Sequence, residues 1–213
     1  MKNFFKTFLN LFIKPVRTTN EEVENAKLPF GFIHAGVITA VIAICTVIST
    51  LISQLFVKKY DFSLRTYTTS FSFDDFEIFE LLGSFFGTAI LVFGFIMAFA
   101  GIMLAIAKIL KTNQATFAKT LKIATFALTP YMIAKIAALI TAWFAPLSTT
   151  FIVIADVYFV FIALFAFAKL LGEENKDKLA LCYIILLGAC NLIYRGALFV
   201  LELIGSNFLD NLF

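Results

Sequence analysis

The sequence is poor in charged residues, and this shortage limits what the chain can be. Only 15% of its 213 residues are charged, whereas 61% are hydrophobic, which excludes an ordinary soluble globular protein. Its three cysteines, Cys45, Cys182 and Cys190, lie inside apolar blocks and lack the paired spacing of a zinc site or a disulfide framework. The net charge of +3 is small, and the basic residues gather between alternate apolar blocks. That placement indicates membrane orientation rather than nucleic-acid binding.

Reaction motifs are also missing. The sequence has no glycine-rich phosphate loop, no paired-histidine zinc motif, no serine elbow and no acidic calcium loop. We therefore predict a protein that is not an enzyme, with no catalytic residue, no metal site and no cofactor. Its single histidine, His34, is interpreted as an interfacial residue with hydrogen-bonding partners rather than as a ligand.

Long apolar blocks are what the sequence does contain. A helix needs about 20 mostly apolar residues to cross the hydrocarbon core, and several blocks meet that length. We predict an all-α, polytopic transmembrane bundle over residues 29–213, with five spans at about 29–56, 79–110, 121–144, 151–171 and 179–204. Pro130 should kink the third span or free a carbonyl within it, and Trp143 is expected in an outer aromatic belt.

Residues 1–28 form a separate, cytoplasmic segment in this prediction. Lys2, Lys6, Asn10 and Lys14 fall on one side of a helix, opposite a side of phenylalanine and leucine residues. This indicates a basic amphipathic helix in the membrane interface, although packing against the protein's own spans is an alternative. Pro15 should end that helix, and a polar connector should follow from Arg17 to Lys27. The loop at 57–78 is expected to be extended or interfacial.

The distribution of lysine and arginine predicts the orientation. Twelve of these residues lie near the N-terminus and the loops after spans two and four, whereas three lie on the opposite side. Because cytoplasmic loops carry the excess of positive charge, the N-terminus is predicted in the cytoplasm and the C-terminus outside. The frequent use of phenylalanine, isoleucine and lysine suits a bacterium, so a bacterial plasma membrane is the expected location.

The second span carries a face of small residues, which we call the glycine face: Gly83, Gly87, Gly94, Ala98 and Gly101. Gly83 and Gly87 make the small-xxx-small spacing that lets two membrane helices approach closely. We interpret the face as a packing surface for the small residues of span one. A permeation path is the alternative.

Ionisable residues deep in spans three to five form a predicted polar cluster: Lys135, Asp156 and Arg195, with Tyr131, Asn191 and Glu202 one or two turns away. At 1.5 Å per residue the three charges share a plane about 10 to 14 Å below the outer boundary. Since isolated charges are costly there, Asp156 is expected to pair with Lys135, Arg195 or both. The pair is a structural contact in one interpretation, and an ion relay or polar ligand pocket in the other.

The order of these segments resembles the Yip family of membrane proteins. The resemblance is carried by residues 125–140, TFALTPYMIAKIAALI, where a polar-aromatic stretch precedes a mid-helix proline and an apolar run. The basic loop from Lys111 to Lys122, which leads into that span, is similar to bacterial members. The resemblance implies five spans, a cytoplasmic N-terminus, membrane residence and protein interaction rather than a defined reaction.

Two functions follow from these features. The first is a non-enzymatic membrane protein that acts through protein contacts in or at the bilayer, as an organising or trafficking-like scaffold. Its partner would be another membrane protein or a second copy, not nucleic acid. The alternative is a small transporter or channel component that uses the polar cluster, although spans one and two show no repeat of four and five.

Overall fold

Helices form the framework of the computed structural model, which describes residues 7, 10–11, 13–25, 27–61, 66–71, 76–112, 114–172, 180–189, 191–192 and 195–196. We number the helices α1 (Pro15–Glu24), α2 (Leu28–Leu55), α3 (Ile78–Ile109), α4 (Phe117–Ile140), α5 (Ala145–Leu171) and α6 (Ala180–Ala189). Two strands, β1 (Phe56–Asp61) and β2 (Thr66–Phe71), lie between α2 and α3.

Four of the helices are long and apolar enough to cross a membrane. Helices α2 to α5 have 28, 32, 24 and 27 residues, and at 1.5 Å per residue even the shortest is about 36 Å long, more than the hydrocarbon core requires. The prediction of a helical membrane protein with several spans is therefore confirmed. The predicted fifth span is described only in part, as the ten residues of α6 and a few residues beyond it.

The turn between α4 and α5 lies earlier than the sequence suggested. Helix α4 begins at Phe117 rather than 121, and α5 begins at Ala145 rather than 151. Pro146 falls between the predicted spans 121–144 and 151–171, but it lies in the first turn of α5, where a missing backbone N–H costs nothing. The turn itself is residues 141–144, and Trp143 in it is 84% exposed.

The predicted polar connector after Pro15 is also corrected. Pro15 begins a helix, α1, instead of only ending one, and α1 includes most of the residues assigned to the connector. Thr18, Thr19 and Val23 are buried because this helix packs on the ends of α4 and α5. Most of the predicted amphipathic helix before Pro15 lies outside the described residues, although positions 10, 11 and 13 are helical.

The loop after α2 is an antiparallel β-hairpin. Strands β1 and β2 pair in a register that runs from Phe56 opposite Phe71 to Asp61 opposite Thr66. The Phe56 and Phe71 rings meet edge to face, with centroids 5.6 Å apart. Of the two predicted conformations, extended structure is the one observed, and the hairpin adds a small β element to the helices that the structure describes.

Helix α4 occupies the centre of the bundle and contacts α1, α2, α3 and α5. It is the least hydropathic of the four long helices and also the most buried. The two properties agree because a central helix meets protein rather than lipid, so buried threonines and even Lys122 are tolerated on it. The α2–α4 contact is close at Gly31, where an added Cβ would lie 3.0 Å from Cδ2 of Leu121.

The glycine face of α3 does not pack as expected. The buried side of α3 is formed by Ile96, Phe99, Ala100, Met103 and Ala107. A Cβ added at Gly83, Gly87, Gly94 or Gly101 would meet no atom within 4 Å among the described residues. The prediction that span one covers this face is therefore wrong, and within one copy of the chain the face lies opposite the packed side.

Candidate functional site: an intramembrane polar cavity

A cavity of about 430 Å³ lies between α2, α3, α4 and α5. Most of its walls are apolar, but two charged side chains from the predicted cluster line it, Lys135 from α4 and Asp156 from α5. Tyr131, one turn before Lys135, lines it as well. Its size and its few convergent polar groups are typical of small-molecule sites in proteins.

A second cavity of about 330 Å³ adjoins the first on the side of the α4–α5 turn. Thr46 and Lys135 line both cavities, so the two meet at these side chains. The second cavity is more polar and is lined by Ser49, Ser148 and Thr149, among others. Together they make one amphipathic pocket: the part near the α4–α5 turn is the more polar, and the other part is mostly apolar but contains Asp156.

Lys135 and Asp156 share the pocket without touching each other. Among the described residues, neither makes an ion pair within 4.0 Å, so the predicted direct pairing of these two groups is not observed. Their charges interact through space. The ammonium of Lys135 lies 5.5 Å from the centre of the Tyr131 ring, a cation–π distance.

The remaining members of the predicted cluster are placed elsewhere. Nε of Arg195 donates to Oδ1 of Asn191 at 3.0 Å, one turn away on the same segment. Both side chains are exposed, and neither lines the two cavities. Glu202 lies outside the described residues.

Sequence reasoning missed a second polar site, where α1 docks on α4. Lys122 was counted as a loop residue, but its side chain is only 4% exposed. Its Nζ donates to the carboxylate and to the backbone carbonyl of Glu22, both at 2.7 Å. The ammonium also lies 5.1 Å from the Phe30 ring centre and 5.6 Å from that of Phe126. The buried amine is thus matched by a carboxylate, a carbonyl and two aromatic faces.

His34 belongs to the same end of the bundle. Its ring is buried beside Phe126, with centroids 5.1 Å apart, and its Nε2 lies 3.4 Å from Oγ1 of Thr129. The Thr129 hydroxyl also donates to the carbonyl of Thr125 at 3.0 Å. These contacts make His34 a packed residue of the α2–α4 interface, as a structural histidine would be.

A second ion pair on α1 is more exposed. Nζ of Lys169, in the last turn of α5, donates to Glu24 at 2.5 Å. This hydrogen bond and the positive charge lower the pKa of Glu24, so the stabilisation is present at neutral pH and is lost as pH falls through the lowered pKa. Because both side chains are about half exposed or more, the pair contributes little to stability.

The side chains of the pocket are suited to binding charged groups. In the part of the chain that the structure describes, no three His, Cys, Asp or Glu side chains gather closely enough to hold a metal ion. The pocket instead offers one ammonium, one carboxylate and several hydroxyls beside an apolar chamber. Such a set can bind an amphiphile with charged and apolar parts.

Four helices long and apolar enough to cross a membrane, packed around a pocket that carries two charged side chains, define a multi-span helical membrane protein. The chain belongs to the Yip1 family: the family model described as Yip1 domain matches residues 9–194, most of the sequence. The match confirms the resemblance noted from the third span. No curated protein and no solved structure matches this chain.

Proposed function

We propose that this Yip1-domain protein is non-enzymatic and acts through lateral contacts within the membrane, made by the glycine face of α3. The observation that carries the proposal is the space that the described residues leave open at Gly83, Gly87, Gly94 and Gly101 on α3, the longest of the four described spans. Lipid chains cannot fill a narrow groove as closely as a second helix can, so dispersion favours a helical neighbour.

A second copy of the chain is the occupant that best fits this face. Beside the glycine groove runs a ridge of exposed apolar side chains that includes Phe86 and Ile90, which are 59% and 66% exposed. A groove and a ridge on the same helix face are self-complementary under two-fold symmetry, because each ridge can enter the partner's groove. Small-xxx-small pairs are typical of such close helix dimers.

Cysteine crosslinking in native membranes tests this contact. In a background with the three native cysteines replaced by alanine, we expect Gly94→Cys to form a disulfide-linked dimer on mild oxidation. The matched control is Phe161→Cys, which lies at a similar distance along α5 on an exposed surface. A dimer from both variants, or from neither, would contradict the proposed face.

The proposed location is the plasma membrane of a bacterium, with the N-terminus in the cytoplasm. The support is the excess of lysine and arginine on one side, twelve against three. A cysteine introduced at Lys176 is then expected to resist an impermeant thiol reagent in intact cells and to react after the cells are opened. Labelling of Lys176→Cys in intact cells would contradict the proposed topology and indicate the opposite orientation.

The alternative function is a small transporter or channel component that uses the polar pocket. The specific observation in its favour is that Lys135 joins two cavities inside the bundle. Against it, α2 to α5 run without interruption, whereas many transporters bind substrate at broken helices.

A further inference from the structure

The amphipathic pocket is graded along the bundle. Ser49, Ser148 and Thr149 lie on its side nearest the α4–α5 turn, and Lys135 and Thr46 lie at the junction of the two cavities. Beyond them lies the apolar chamber, whose walls are mostly residues such as Leu91, Phe95 and Phe159 but also include Asp156. A lipid molecule likewise joins charged groups to an apolar chain.

The two opposite charges in the pocket favour a ligand that carries two opposite charges. Lys135 and Asp156 carry opposite charges, line the same cavity and make no ion pair with each other among the described residues. A charged side chain within a membrane span is costly unless a partner compensates it. A ligand with an anionic group for the lysine and a cationic group for the aspartate compensates both at once.

From this arrangement we propose that the pocket binds a phosphate–ammonium zwitterion of the phosphoethanolamine type, the headgroup of a membrane lipid. The phosphate accepts hydrogen bonds from the Lys135 ammonium, and the ligand's ammonium donates to the Asp156 carboxylate. The hydroxyl of Thr46 adds an acceptor for the ligand's ammonium. It already donates its hydrogen to the Ile42 carbonyl at 3.0 Å, which leaves its lone pairs free to accept.

The apolar chamber, which also contains Asp156, has room for the start of the acyl chain beside the ligand's ammonium. Its volume of about 430 Å³ exceeds what a headgroup alone needs, and its walls are mostly hydrocarbon. The site does not depend on the lateral contact proposed above, because every lining residue belongs to one copy of the chain. Loss of dimerisation therefore leaves the binding prediction intact, and the two proposals fail separately.

Native mass spectrometry of the full-length protein in detergent measures the binding. We expect phosphatidylethanolamine to bind the wild type roughly tenfold more tightly than phosphatidylglycerol, which has the phosphate but no ammonium. Lys135→Met should weaken both lipids by about tenfold or more, whereas Asp156→Asn should remove only the preference for phosphatidylethanolamine. Lys108→Met, which alters an exposed lysine at the end of α3, is the matched control and should bind like the wild type.

Two further measurements identify the source of the zwitterion and provide a test that does not depend on variants that alter a charged residue. Soluble glycerophosphoethanolamine lacks acyl chains, and Leu91→Trp narrows the apolar chamber while keeping both charges. If the ligand is the lipid, the soluble compound binds weakly and Leu91→Trp lowers lipid binding without changing the melting temperature. If the soluble compound binds as tightly as the lipid, the pocket is still a site for a phosphate–ammonium zwitterion, but its ligand is a soluble compound.

Three results would overturn the proposal. The first is phosphatidylglycerol binding as tightly as phosphatidylethanolamine in the wild type. The second is a folded Lys135→Met or Asp156→Asn protein with wild-type binding of both lipids. The third is an equal loss of binding in the Lys108→Met control. If Lys135→Met fails to fold, the binding of both lipids to Asp156→Asn and Leu91→Trp tests the proposal instead.

Discussion

Replacing Lys122 with methionine is expected to lower the stability of the bundle by about 2 to 4 kcal/mol, the cost of removing one partner of a largely buried charged contact. Methionine keeps much of the side-chain stem but lacks the ammonium, so the Glu22 carboxylate and carbonyl each lose a hydrogen bond of 2.7 Å from Nζ. The loss also removes the cation from the Phe30 and Phe126 rings. Thermal melting of the purified protein in detergent measures the change.

Lys169→Met is the matched control for this prediction. It breaks the other lysine–glutamate pair that holds α1, but both of its side chains are largely exposed, 49% and 63%. Solvent and salt screen exposed pairs, which therefore contribute little to stability, so its melting temperature should stay close to the wild type. In addition, trypsin should cut at Lys27 faster in Lys122→Met, because α1 is less firmly docked. Equal effects of the two substitutions would contradict the role of burial.

Replacing Gly31 with leucine is expected to destabilise the protein by about 1 to 3 kcal/mol, the usual cost of overpacking a core. Even a Cβ at this position would lie 3.0 Å from Leu121, and a leucine adds three more carbons to the same contact between α2 and α4. The two helices must then separate or the Leu121 side chain must leave its preferred rotamer. The measurement is the melting temperature and the folded yield in detergent.

Gly36→Leu is the control for that substitution, since it lies on the same helix with no atom within 4 Å of an added Cβ among the described residues. It should melt like the wild type. Comparable losses in the two variants would mean that glycine replacement itself, and not the α2–α4 approach, sets the cost.

The helices could be predicted from the sequence because hydropathy depends on composition over about 20 residues. The helix ends could not, because their position depends on single residues such as Pro146, which suits both a turn and the first turn of a helix. Lys122 was missed for a related reason. Its helix begins earlier than predicted, and its partner Glu22 lies 100 positions away in a segment assigned to a connector.

The glycine face shows a different limit. Regular spacing along α3 reveals that small residues share a side, but lipid chains are as apolar as protein interiors. Polarity therefore cannot tell a side that meets lipid from one that meets a helix, and the predicted contact with span one was wrong.

The polar cluster was partly accessible to sequence reasoning. Helical rise predicts one depth for Lys135 and Asp156. Because the α4–α5 turn lies at 141–144, Asp156 is farther from the turn than Lys135, yet both side chains line one cavity. Depth does not fix rotation about the helix axis, and for that reason Arg195 could not be separated from the other two. The cavity itself depends on how residues of four helices come together, which no spacing in the chain encodes.

Counting subunits in liposomes tests most directly the central claim, that two copies meet through the glycine face. Single-molecule photobleaching of labelled protein should show a two-step fraction that rises with the protein-to-lipid ratio in the wild type and in Phe161→Leu. Gly94→Leu should stay in single steps at every ratio, with an unchanged melting temperature, because an added Cβ there meets no atom within 4 Å among the residues that the structure describes. A wild type that remains monomeric, or a Gly94→Leu variant that pairs as the wild type does, would contradict the claim.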